Sequence, residues 1–217
     1  MGNQAVWIIG AGKGNGQGIA EAFGKRGYKP VLIARDHNKL LNVQQSLLSE
    51  DIASTCVIAD SGNLDELRVT LEGLIESEGA PEVLVYNAAA IYPGLPTELT
   101  EERLRAEFNV NVLGAFTAVQ TVLPKLKERG AGSILFTGGG LGLYPQASLA
   151  SLSMGKAAIR NLAFSLNEEL AAYGIFVGTV TICGFVQEDT PFNSRFVGEA
   201  FYQLYEEKSG VEVQLKP

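Results

Sequence analysis

The chain is poor in the residues that carry much of enzyme and metal chemistry, with two cysteines, one histidine and one tryptophan in 217 residues. Cys56 and Cys183 make a single possible pair and no metal-ligand spacing, so reduced, buried thiols are expected rather than a disulfide framework. The one histidine, His37, follows Asp36, at the opposite end of the expected fold from Cys183. A Cys-His nucleophilic pair is therefore disfavoured, and no ligand cluster suggests a metal. Clustered Lys and Arg are also missing, and the net charge is −7, which argues against a nucleic-acid partner. No stretch approaches the ~18 uninterrupted apolar residues that a membrane span requires. The first apolar run starts within about four residues of Met1, leaving no room for a secretory signal, and a cytoplasmic location is expected. Repeats, linkers and low-complexity segments are lacking too.

What is present is ordinary globular material, 46% hydrophobic and 19% charged, of a length that one α/β domain over residues 1–217 accounts for. Apolar runs at Ala5 to Ile9, Pro30 to Ala34, Cys56 to Ala59 and Val83 to Tyr86 suit strands covered on both faces. Segments of helical length separate them, from Gly16 to Gly27, Asn38 to Ser49 and Leu64 to Ser77, with apolar residues at three- and four-residue spacing. The second half continues with a long helix from about Glu101 to Arg129, a strand at Ser133 to Phe136, a helix from about Ser151 to Tyr173 and a strand at Phe176 to Thr181. Val211 to Leu215 could close the sheet. Such alternation predicts a doubly wound parallel sheet, a Rossmann-type α/β domain. Gly184 to Asn193 reads as a loop at the carboxyl edge, where open α/β sheets bind ligands. Pro191 to Ser209 is left to form whatever lid covers the pocket.

Gly10-Ala11-Gly12-Lys13-Gly14-Asn15-Gly16 ends the first strand and opens the first helix. The strict G-x-G-x-x-G pattern fails at Asn15, while Gly10-x-x-x-Gly14-x-Gly16 fits. Glycines permit close backbone approach, and free amides at a helix start attract a pyrophosphate. Lys13 in this loop and Arg35 after the second strand could converge on one phosphate, which favours NADP(H) over NAD; Asp36 argues the other way.

With these motifs in order, the sequence resembles the short-chain dehydrogenase/reductase superfamily over nearly its whole length. Asp60 resembles the family's adenine contact, Asn87-Ala88-Ala89 its N-A-G segment, and Asn111 the asparagine that holds an active-site water. Lys156 is similar to the lysine of Y-x-x-x-K, which binds the nicotinamide ribose, and Cys183-Gly184-Phe185-Val186 to the P-G-x-V segment along the nicotinamide. The resemblance implies a seven-stranded sheet, a nicotinamide cofactor and a small-molecule substrate.

It also implies a tyrosine four residues before Lys156, where Leu152 stands, and a serine thirteen residues earlier, where Gly139 stands. The enoyl-reductase spacing falls on Leu149. Leucine can neither donate nor accept the proton that carbonyl reduction needs, and a positioned general acid is worth roughly 100- to 10,000-fold in rate. Tyr144 is the best substitute, with Tyr92 and Ser148 behind it; as a wall or interface aromatic it would do no chemistry. Ser151 and Ser153 read as caps at the helix start. Two functions follow. One is an NADPH-dependent oxidoreductase acting on a small to medium apolar carbonyl or alkene, with Lys156, Asn111 and Tyr144 in its active site and Leu143, Tyr144, Phe185 and Val186 as pocket wall. The other is a non-catalytic NADP(H)-binding regulator. A nucleotide-free scaffold would make Lys13 and Arg35 coincidental. Small residues on the two long helices, Ala115, Ala118, Ala157, Ala158 and Ala163, suggest a homodimer or homotetramer, although they could equally cover the sheet.

Overall fold

The structure is a computed structural model that describes residues 4–187 and 190–217. Its elements run β1 (Ala5–Ile9), α1 (Asn15–Gly24), β2 (Lys29–Ala34), α2 (His37–Leu48), β3 (Thr55–Ile58), α3 (Leu64–Glu78) and β4 (Val83–Tyr86). The second half runs α4 (Glu101–Phe108), α5 (Gly114–Arg129), β5 (Gly132–Gly139), α6 (Ala150–Leu170), β6 (Ile175–Ile182), α7 (Ser194–Glu207) and β7 (Glu212–Leu215). All seven strands join one parallel sheet in the order β3-β2-β1-β4-β5-β6-β7.

Two helical layers explain why the strands read as continuous apolar runs. Along β1, Ala5, Trp7 and Ile9 pack into a cluster with Leu67 and Leu71 of α3, Ala115, Ala118 and Val122 of α5, and Ile159 and Ala163 of α6. Val6 and Ile8, one residue out of phase, face Ile19 and Phe23 of α1, Leu40 and Leu47 of α2, and Val197 and Phe201 of α7. Side chains alternate across a strand, so a run with both faces covered must be apolar throughout. The order reverses at β1, which has β2 on one side and β4 on the other. That reversal opens a crevice at the carboxyl ends of β1 and β4.

Several expectations change. The helix expected from Glu101 to Arg129 is α4 and α5 joined by a π-helical turn, Asn109–Leu113. Gly114 begins α5 with Tyr86 Oη and the Ser61 carbonyl so close that a Cβ would sit 2.3 and 2.4 Å from them. Pro191 to Ser209 is no lid. Most of it is α7, whose Val197, Phe201 and Leu204 are buried in the core. Of the loop expected from Gly184 to Asn193, residues 188 and 189 lie outside the described residues. Ser151 and Ser153 do not cap α6. Its N-terminus has no side-chain cap; Ser153 Oγ bonds the Leu149 carbonyl at 2.9 Å, and Ser151 Oγ is buried without a partner. Ala115, Ala118 and Ala163 cover the sheet, while Ala157 is exposed.

Candidate nucleotide and substrate cleft

A cleft of about 1390 Å³ follows the carboxyl edge of the sheet from Arg35 to Val186. Its floor is the glycine loop. Gly10, at φ +88°, lies so close to β4 that a Cβ would stand 2.4 Å from the Ala88 nitrogen, so only glycine fits. Gly16 is pressed on the Ala11 backbone, whereas a Cβ on Gly12 or Gly14 would meet nothing within 4 Å. The open side of the loop faces the cleft, with Lys13 and Asn15 also in the lining.

Side-chain oxygens of Asp36, Asn63, Thr100 and Asn193 cap α2, α3, α4 and α7, but Gly14 gives α1 no side-chain cap. The Gln17 amide donates to the Gly12 carbonyl at 3.0 Å, and the Asn15 and Gly16 amides before it are left for an acceptor arriving in the cleft, where the positive end of the helix dipole favours an anion. Asn15 Oδ1 in the same loop is buried without a donor.

At the far end Lys13 and Arg35 are exposed and share the lining with Lys39, a third cation that the sequence reading missed because it lies one turn into α2. Asp36 accepts the Lys39 amide at 3.1 Å as the cap of α2 and pairs with the Lys39 ammonium at 3.4 Å. These contacts hold its carboxyl below the usual carboxylate range, the backbone bond contributing most. Asp60 also lines the cleft and accepts the Gly62 amide at 2.8 Å.

Asn87, Ala88 and Ala89 line the middle. Asn87 Nδ2 donates to the Gly10 carbonyl at 2.8 Å, Thr137 Oγ1 donates to Asn87 Oδ1 at 2.8 Å, and Lys156 Nζ donates to the Thr137 carbonyl at 2.6 Å. One chain of polar contacts thus couples the glycine loop to α6. Burial lowers the Lys156 ammonium to a pKa of about 8, since charge is disfavoured away from water and no carboxylate among the described residues pairs with it. Thr137 carries no sequence signal for this role, because it contributes through its backbone as much as its hydroxyl.

The sequence-predicted residues divide. Tyr144 stands in the lining and is 71% exposed; Gly184 and Val186 line the opposite wall. Leu152, 5% exposed, and Gly139 both reach the cleft beside Lys156, and a Cβ on Gly139 would lie 3.3 Å from the Lys156 stem. Asn111 is not in the lining. It is buried in the π-helical turn, with Oδ1 accepting the Ala90 amide at 2.7 Å and Nδ2 donating to the Ala90 carbonyl at 3.2 Å. Cys56 and Cys183 are both free thiols.

A doubly wound parallel sheet with a glycine-lined cleft at its switch point defines a Rossmann-type nucleotide-binding fold. The chain belongs to the short-chain dehydrogenase family, whose sequence pattern matches residues 4–196. It is 31% identical over 173 residues to 2,3-dihydro-2,3-dihydroxybenzoate dehydrogenase of Bacillus subtilis, covering 78% of this chain and 65% of that protein. It is also 31% identical over 178 residues to the human inactive hydroxysteroid dehydrogenase-like protein 1, covering 78% of this chain and 52% of that one. The chain therefore spans between half and two thirds of these relatives. Among solved structures, a metagenomic short-chain oxidoreductase in complex with NADP superposes with a TM-score of 0.89 at 23% identity, over 99% of this chain and 97% of that one. A putative short-chain dehydrogenase/reductase from Burkholderia xenovorans gives 0.89 at 21% identity, over 98% and 94%. No helix among the described residues is long and apolar enough to cross a membrane, and no group of three metal-ligating side chains occurs among them.

Proposed function

We propose that the chain is an NADP(H)-dependent oxidoreductase that acts on a small to medium carbonyl or alkene compound through an atypical active site. The observation that carries the reading is the continuous cleft from Lys13, Arg35 and Lys39, across the uncapped start of α1, to Lys156 and Tyr144. Each part suits a portion of the cofactor. Asp36 is engaged as a helix cap and by Lys39, which leaves Lys13 and Arg35 to hold a 2′-phosphate. The α1 amides receive the pyrophosphate, and Lys156 reaches the nicotinamide ribose. When bound, the nicotinamide donates or accepts the hydride.

The protein's own task is to place the substrate and move one proton. Tyr144 offers a hydroxyl at the cleft mouth, and Lys156, with its pKa near 8, holds a proton that it can release close to neutral pH. Asn111 acts from beneath by fixing Ala90 and the segment that leads to Tyr92. Phe185 and Val186 contribute apolar wall, with Leu141 in place of the expected Leu143, which is not in the lining.

A second reading, a regulator that binds NADP(H) without turnover, is favoured by one feature. Leu152 and Gly139 stand where the family resemblance places a tyrosine and a serine, and neither can transfer a proton. A relative named as inactive is compatible with it.

Titration with NADPH and NADH tests the cofactor. NADPH should bind more tightly, and Arg35→Ala should weaken NADPH about tenfold while leaving NADH unchanged. Equal affinities in the unaltered protein would sink the assignment. NADPH oxidation over a panel of aldehydes, ketones, quinones and enones then separates the two functions. An enzyme turns over at least one class and slows about a hundredfold in Tyr144→Phe. Tight NADPH binding with no turnover establishes the regulator, and Leu152→Tyr should then gain activity.

A further inference from the structure

Glu107 on α4 is a buried carboxylate, with 4% exposure. One carboxylate oxygen, Oε1, accepts from Arg103 Nε at 2.7 Å, and Arg103 Nη2 donates to the Pro93 carbonyl at 2.6 Å. The other oxygen, Oε2, is shielded from water and has no donor. A desolvated carboxylate oxygen without a partner costs free energy that a ligand's donor would return. Nothing in the oxidoreductase mechanism uses this group.

Its place in the fold points to a ligand. Glu107, Ala106 and Tyr92 form a wall shared by the main cleft and a side pocket of about 440 Å³, which Pro93 and Arg103 complete. Tyr92, on this shared wall, is 52% exposed. The segment that carries Tyr92 is tied to the start of α6: the Gly94 amide donates to the Ser148 carbonyl at 2.8 Å, and the Ala150 amide to the Gly94 carbonyl at 3.3 Å. The side pocket thus shares its Glu107 wall with the main cleft, whose lining also includes Leu152 and Lys156.

Charge selects the group that the pocket takes. Arg103 already neutralises Glu107, so an ammonium would leave an uncompensated positive charge at the buried Oε2, and a second carboxylate would face the first. A neutral hydroxyl donates one hydrogen bond and changes no charge. We propose that Glu107 and Arg103 form a polar subsite that binds a hydroxyl group on the substrate, away from its reacting carbon. The substrate class is thereby narrowed from plain apolar carbonyls or alkenes to hydroxylated ones; this rests on the oxidoreductase reading above.

The test is calorimetric titration of the NADP+-loaded protein. The probes are cyclohexanone and its monohydroxylated derivatives, together with a long methyl ketone with and without a terminal hydroxyl. At least one hydroxylated probe should bind about tenfold tighter than its parent. Glu107→Met should erase that advantage and Glu107→Gln reduce it severalfold, with NADP+ affinity unchanged in both. If Glu107→Met fails to fold, the isosteric Gln variant carries the comparison. Equal affinity of every hydroxylated probe and its parent, or an advantage undiminished in the variants, overturns the subsite. NADP+ binding is measured first: its absence overturns the oxidoreductase reading and the subsite with it, whereas intact NADP+ binding without a hydroxyl preference overturns the subsite alone.

Discussion

Lys156 lines the cleft with a strongly lowered pKa. Its folded pKa of about 8 lies below the 10.5 of a free lysine because burial penalises the ammonium. As pH rises above about 8 the folded state gives up this proton while the unfolded chain still holds it, so the group adds stability with rising pH until both forms are neutral. The melting temperature of the unaltered protein, measured against Lys156→Met, should therefore climb from pH 8 upward; a constant difference would place the amine in water. The proposed reduction would have the opposite dependence. Its rate should fall as pH passes about 8, and Lys156→Arg, which stays protonated, should remove that inflection. Lys156 could be picked out in the sequence because motif spacing marks it. Glu107 could not, since its meaning lies in a burial and an unmet acceptor that only the folded neighbours create, and Thr137 was invisible for the same reason.

Glycine decides how closely the elements approach. A Cβ on Gly18 of α1 would stand 1.8 Å from the Ser194 carbonyl oxygen, and one on Gly198 of α7 would stand 2.1 Å from the Gly18 carbonyl oxygen. The two helices touch backbone to backbone at this crossing, which explains how a short carboxyl-terminal helix completes the layer over β1. Gly18→Ala must push α7 away or tilt α1, and α1 carries the phosphate loop. Overpacking of this kind costs typically 1–3 kcal/mol. A fall in denaturant midpoint together with weaker NADPH binding is expected for Gly18→Ala. For Gly198→Ala the same stability loss with a smaller effect on NADPH is expected, and unchanged stability in both would contradict the packing. Strands and most helices could be read from apolar periodicity because each has a face turned to the sheet. The α7 segment escaped that reading: Pro191 at its approach and the loop-like composition before it outweighed the spacing of Val197, Phe201 and Leu204. The π-helical turn at Asn109–Leu113 is likewise silent in periodicity, being set by the contact of Gly114 with Tyr86 and Ser61.

At the scale of the whole molecule, the strand order fixes where the cleft opens, and the outer face of the α3, α5 and α6 layer fixes what the molecule can meet. Of the alanines that suggested self-association, Ala115, Ala118 and Ala163 cover the sheet, but larger apolar side chains stand outward on the same helical layer. Phe116 of α5 is 45% exposed, and Met154 and Phe164 of α6 are 41% and 39% exposed; Leu113, in the turn before α5, is 42% exposed. Arg160 lies over the Phe164 ring at 4.8 Å, and its guanidinium pairs with Glu212 of β7 at 2.9 Å, so this part of α6 is held in place before any partner arrives. Pre-ordered aromatic and methionine side chains suit a self-complementary interface better than mobile ones, because less side-chain entropy is lost on association. A second copy of the chain, docked through α5 and α6, is the expected occupant. Light scattering of the unaltered protein should give twice or four times the 23.1 kDa chain mass. Phe116→Glu combined with Phe164→Glu places like charges across the two-fold axis and should yield monomers that still bind NADPH. A monomer before substitution would show that these side chains are surface aromatics and that the cleft works alone.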